Sequence, residues 1–340
     1  MKKKIFSFNL ILLFTFLLSC GGPDALVINT VHADGSVTRK VILTFDKDEF
    51  DLYDCQVPID STWAIEKILE ISDEGDSTWT LTAVRDYANV DLLNSDYEDY
   101  GGSNERMNRW VVFERRFKWF NTIYRFSENI EKAINGIPPE QYFTVDELHL
   151  FYMPDDLLDE KKKGADSLMI EELEDKFDGW LGESLVKATL QEIGSVADKI
   201  PGSEIDVEYL NTKSSELSNL ILEDNLNEYE VIDSVFGKGY YEKHQVVIDS
   251  ALAVVEDQFD VAGDADKYLV QTMMPGELLS TNGYIDNDGN ILWKVDGDCF
   301  LSSDYIMWAE SKITNWWAWI VSVLFLLFVA TGFIFRVKKK

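Results

Sequence analysis

SLMIEELEDKFDGWLGESL, residues 167–185, is the stretch on which the fold turns. Leu168, Ile170, Leu173, Phe177, Trp180, Leu181 and Leu185 recur mostly at three- and four-residue steps, the period of an amphipathic helix. Gly194 and the Pro201-Gly202 pair close this region. A further helix is expected over about residues 204–223, with Ser203 as N-cap and Asp206 in its first turn. Residues 241–259 supply Val246, Val247, Leu252, Val255 and Phe259 as another apolar stripe. Residues 155–260 therefore read as one helical block.

On both sides of that block the period falls to two. Before it, residues 26–31 and 37–45 are β-branched runs around Ala33-Asp34-Gly35-Ser36, a strong hairpin signal. Residues 62–71 and 77–87 pair around a second polar turn. Residues 90–104 carry acids and glycines without a period and are expected to form a surface loop. Residues 109–126 read as one long strand, with Val111, Phe113, Phe117, Trp119 and Ile123 on the buried parity. Its six basic residues, counted from Arg106, make Arg115, Arg116 and Lys118 a candidate anion or headgroup contact. The competing reading is a strand whose cations neutralise acids on its neighbours. After the block, residues 267–274, 284–285 and 291–295 are strands, with turns at Pro275-Gly276 and at Asp286-Asn287-Asp288-Gly289-Asn290. Strands before and after a contiguous helical block predict one α+β domain. It is an antiparallel β-domain with inserted helices, made of 20–154 (β-rich), 155–260 (helical) and 261–312 (returning strands).

Both ends of the chain point to a membrane. From Trp316 to Phe335, 20 residues carry no ionised group. At about 1.5 Å per residue they reach about 30 Å, the thickness of a bilayer core. Trp316, Trp317 and Trp319 stand at the entry, where indoles favour the headgroup layer. Residues 336–340 form a basic tail, which is retained on the cytoplasmic side, so residues 316–335 are a span and the domain before them is extracytoplasmic. At the other end, Lys2, Lys3 and Lys4 precede a mostly apolar run to Leu18, a secretory signal over residues 1–19. Leu17-Leu18-Ser19-Cys20 resembles the lipobox of bacterial lipoproteins, which implies acylation of Cys20, as by palmitate, and a second attachment. The residues after Cys20 lack the stretch that resembles a surface-export signal, so the expected location is the bacterial inner (cell) membrane, domain outside and carboxyl terminus in the cytoplasm.

Setting aside the seven basic residues of the two terminal segments leaves 24 Lys and Arg against 61 acids, a net charge of −37. Such a surface repels nucleic acid, which excludes that class of partner. His32, His149 and His244 fall in no metal-ligand spacing, and no phosphate-binding glycine loop or nucleophile elbow is present. No cofactor and no metal are expected. Asp286 to Asn290 lacks the spacing of a calcium loop and reads as a turn. Nothing singles out one carboxylate pair among so many. Cys55 and Cys299 are a candidate disulfide, an even pair in an oxidising compartment; two separate buried thiols is the alternative.

Met274-Pro275-Gly276 to Asn282-Gly283, then Gly289-Asn290-Ile291-Leu292-Trp293, the Trp-rich span and the basic end are similar to the carboxyl-terminal part of LppM-type lipoproteins. The resemblance covers about 65 residues. It implies an antiparallel β-domain with an apolar cavity, binding a lipid or envelope component, and it carries over no catalytic residue. The expected function is a non-enzymatic, membrane-tethered lipoprotein that binds a lipid-like ligand or an envelope protein partner. The alternative is an envelope enzyme or accessory factor using unidentified carboxylates.

Overall fold

A computed structural model describes residues 24–45, 57–71, 77–100, 107–162, 167–200, 204–223 and 228–338. The signal segment, Cys20, Cys55 and Ser203 lie outside them. The first elements are β1 (Asp24–Val31), β2 (Val37–Phe45), β3 (Ala64–Ile71), β4 (Ser77–Tyr87), α1 (Val90–Tyr100), β5 (Arg109–Phe117) and β6 (Asn121–Ile130). Eight helices follow: α2 (Pro139–Tyr142), α3 (Val145–Phe151), α4 (Asp155–Lys162), α5 (Ser167–Lys199), α6 (Val207–Thr212), α7 (Ser214–Glu223), α8 (Glu228–Phe236) and α9 (Tyr240–Gly263). The chain closes with β7 (Tyr268–Met273), β8 (Glu277–Thr281), β9 (Tyr284–Ile285), β10 (Ile291–Val295), α10 (Gly297–Phe300), β11 (Tyr305–Thr314) and α11 (Trp316–Lys338).

The strands form two sheets, ordered β3-β4-β2-β1-β7-β10-β9 and β5-β6-β11-β8. Each sheet contains strands from both sides of the helical block, which is the α+β arrangement the sequence predicts. One pairing departs from the expected antiparallel pattern. β1 and β7 run parallel, from Ala25 opposite Tyr268 to Thr30 opposite Met273. A return through intervening helices permits a parallel neighbour, which a tight hairpin does not.

The apolar faces of the two sheets share one core, in which Val41 and Leu43 of β2 join Phe126 and Ile130 of β6 and Met307 and Ala309 of β11. The two long helices tie that core to a second one. Near one end, α5 places Ile170, Leu173 and Trp180 in the sheet core, and near the other it buries Leu190 and Ile193 among α6 to α9. α9 does the reverse, with Ile248 and Ala251 in the helical core and Val255 and Phe259 in the sheet core.

Several expectations are corrected. Residues 90–100 are a helix, with the Asn89 side chain accepting from the Leu92 amide at 3.1 Å and with Leu93 and Tyr97 buried four residues apart. Val90, partly buried against the same core, completes a short apolar stripe with them, and the acids between mask it. Residues 109–126 are two antiparallel strands rather than one, because the chain reverses between Lys118 and Asn121. The helix expected over 204–223 begins later, since Asp206 is itself the N-cap, accepting from the Tyr209 amide at 3.1 Å, and it breaks at Lys213. β8 and β11 were not expected, although Tyr305, Met307, Ala309 and Ser311 alternate inward along β11. The Asp286 turn is as read: its carboxylate accepts from the amides of Asp288 and Asn290, and Gly289 takes φ +83°.

Candidate membrane-docking site

β11 runs into α11 through a single residue. Asn315 donates its backbone N–H to the Phe120 carbonyl at 2.8 Å and its side-chain amide to the Lys118 carbonyl at 2.9 Å. Its side-chain oxygen accepts from the Thr122 hydroxyl at 3.1 Å. The junction is thus locked onto the tip of the β5–β6 hairpin by hydrogen bonds from one residue, and no slack linker separates the sheet from the helix.

The tip itself is Lys118-Trp119-Phe120-Asn121, closed by paired backbone bonds between Lys118 and Asn121 of 2.8 and 3.2 Å. Aromatic residues at a reversal oppose the usual Gly, Asn and Asp preference, and here they find partners on α11. Phe117 stacks on Trp317 with centroids 6.3 Å apart and planes at 8°. Trp119 meets the same ring edge-on at 5.3 Å, and Phe120 lies 4.3 Å from Trp319. The Trp119 indole N–H donates to the Ser322 hydroxyl at 3.0 Å, well beyond the start of the helix. Despite these contacts Phe117 stays 56% exposed, Trp119 48% and Trp316 73%. α11 is long and apolar enough to cross a membrane, from Trp316 to Arg336, and its sides are almost wholly uncovered by protein.

The basic residues of this strand pair divide. Arg109 is buried and lies 3.8 Å from Glu128; Arg116 donates to Glu310 at 2.7 Å; Arg125 stacks over Trp308 at 4.5 Å. Neutralisation by neighbouring acids therefore accounts for Arg109 and Arg116. Arg115 and Lys118, on either side of Arg116 and Phe117, are exposed and have no ion-pair partner among the described residues.

Two further clusters of charged groups lie inside the domain. Between the sheets, the Glu128 carboxylate accepts from Arg39 at 2.7 Å, from the Tyr97 hydroxyl at 2.7 Å and from Asn29 at 3.3 Å. Arg39 also donates to Asn29 at 2.8 Å and to Tyr97. This network was missed at the level of sequence, yet a signal existed: Arg39 occupies the inward parity of β2, between Val37 and Val41. At the end of β10, the Lys294 ammonium is 3.2 Å from Asp296. Burial alone would lower the Lys294 pKa, but the neighbouring Asp296 carboxylate raises it. Burial and the adjacent Asp296 charge push Asp298 up to about 7. Cys299 is buried, its Sγ 3.6 Å from the Lys294 carbonyl, and burial raises its pKa well above the ordinary thiol value. Its candidate partner Cys55 lies outside the described residues.

No family model and no curated protein matches the chain. Among solved structures it is similar to the folded domain of the Mycobacterium tuberculosis LppM protein, at 11% identity and a TM-score of 0.27, over 87% of this chain and 92% of that one. A TM-score that low carries no argument about either fold or function.

Proposed function

We propose that this chain is an envelope lipoprotein, held at the inner membrane by an acylated Cys20 and by α11, whose two-sheet domain binds a lipid-like ligand or a partner protein without turning it over. One observation carries the reading. The sheet passes into an apolar helix through one hydrogen-bonded residue, so the domain is presented to a bilayer at a fixed attitude. That is the geometry of a receptor for something at the membrane surface. The outward face of the second sheet adds apolar area for such a partner, with Trp110, Val112 and Ile306 each more than a third exposed. Native mass spectrometry of the detergent-extracted chain tests the proposal. An adduct of lipid mass, or a stoichiometric protein companion, is expected; the bare chain under conditions that preserve other lipid complexes would overturn it.

A second reading, an envelope enzyme or accessory factor, has one observation in its favour: the buried Lys294 ammonium lies 3.2 Å from Asp296, with Asp298 and the Cys299 thiol on the short helix that follows. Expression of D298N in cells lacking the wild-type gene separates the two. Full function leaves the binding reading in place, and loss of function with an unchanged melting temperature favours catalysis.

A further inference from the structure

We infer that the tip of the β5–β6 hairpin is a second membrane-inserted element, seated in the interfacial layer of the leaflet that α11 enters. The inference rests on the reading of α11 as a span and adds a contact which that reading does not contain. The argument is one of length. Trp119 reaches Ser322, six residues beyond Trp316, so the tip lies about 9 Å down the helix from its start. If the tip stayed in water, the helix could begin to cross only after Ser322. The 13 residues 323–335 would then offer about 20 Å of apolar length against a core of about 30 Å. The shortfall disappears when Trp316 to Ser322 and the tip packed beside them share the membrane.

The chemistry of the tip fits that position. Phe117, Trp119 and Phe120 form an aromatic cluster continuous with Trp317 and Trp319, and indole and phenyl rings favour the headgroup boundary. Arg115 and Lys118 flank the cluster with no acid to meet among the described residues, in a domain otherwise rich in acids. Lipid phosphates are the anions available at that depth. Long basic side chains reach such a layer while their stems lie along apolar surface.

The test uses the full chain in phospholipid nanodiscs, carrying a fluorescent amino acid in place of Lys118, of Leu326 within α11, or of Ser234 on α8. The probe is quenching by phospholipid spin-labelled near the headgroup or along the acyl chain. Loss of emission at positions 118 and 326, with none at 234, is the expected result. Quenching at 326 but not at 118 would overturn the inserted tip and leave the span standing. No quenching at 326 would overturn the span and the tip together. In W119S/F120S labelled at 118 or at 326 in turn, quenching should be lost at 118 and kept at 326; retained quenching at 118 would overturn the assignment of the aromatic residues as the inserting groups.

Discussion

Glu128 of the second sheet meets Arg39 and Asn29 of the first. Its carboxylate is buried, and transfer of a lone ion out of water is expensive unless partners replace the lost hydration. Arg39, Asn29 and Tyr97 replace it through hydrogen bonds from the first sheet and from α1. E128A should therefore lower unfolding stability by about 3–5 kcal/mol, because it leaves the buried Arg39 guanidinium without its counter-charge. The apolar pair R39M/E128L should lie closer to wild type than E128A, as measured by denaturant unfolding of the detergent-solubilised chain. Asp298 gives a test in pH. Its folded pKa, near 7, stands above the ordinary carboxyl value, so the native state holds a proton that the unfolded chain releases between those two pH values. Stability contributed by this group is accordingly present at low pH and falls as pH rises towards 7. D298N should remove that part of the slope, and thermal unfolding across pH 4–8 would show it. Neither residue was legible from composition among 61 acids. What marks Glu128 is enclosure, and what marks Asp298 is the neighbouring Asp296 charge; one sequence displays neither.

At the scale of elements, patterns that were strong on their own were legible and patterns completed by a partner were not. The β1–β2 hairpin follows from Asp-Gly and alternation, and β2 occupies Val37–Phe45 as expected. The β5–β6 reversal has no glycine or asparagine at its centre; it is held by rings on α11, so nothing local announces it. α1 was hidden for a similar reason, since only Leu93 and Tyr97 of its inward positions are fully buried and apolar. The seam between α9 and α10 shows how tightly elements can meet without a sequence motif. A Cβ on Gly297 would lie 1.9 Å from the Ala262 carbonyl oxygen, a backbone atom that no rotamer change can move. G297A should destabilise by about 2 kcal/mol or more, within the range for overpacking or beyond it. G289A, which meets nothing within 4 Å and strains only its φ of +83°, should cost about 1 kcal/mol. A smaller penalty for G297A than for G289A in thermal unfolding would show that the α9–α10 contact is looser than this.

For the whole molecule, the α+β class was legible because it rests on where the period changes, not on any one residue. That strands from both sides of the helices join one domain was legible as well; their division into two sheets and the order of strands within them were not, since register is decided by tertiary pairing. The proposed topology makes a direct prediction. A reporter active only in the cytoplasm should work when fused after Lys340, and a periplasm-active one should not. Deleting residues 316–340 should leave the protein membrane-bound, and adding C20A should release it; release by the deletion alone would remove the lipid anchor from the proposal. The parallel pairing of β1 with β7 also sets a timetable. Ribosomes add about 5–20 residues per second, so roughly 10–50 s separate the appearance of β1 from that of its neighbour 243 positions later, Tyr268 opposite Ala25. Throughout that interval β1 keeps one open edge and β6 waits for β11, the last strand to be made. A nascent chain in that state presents unpaired edges to others of its kind. That exposure lasts until the final strand emerges, with the apolar helix directly behind it; under the proposed topology, completion of the domain and its capture by a membrane therefore fall at nearly the same moment.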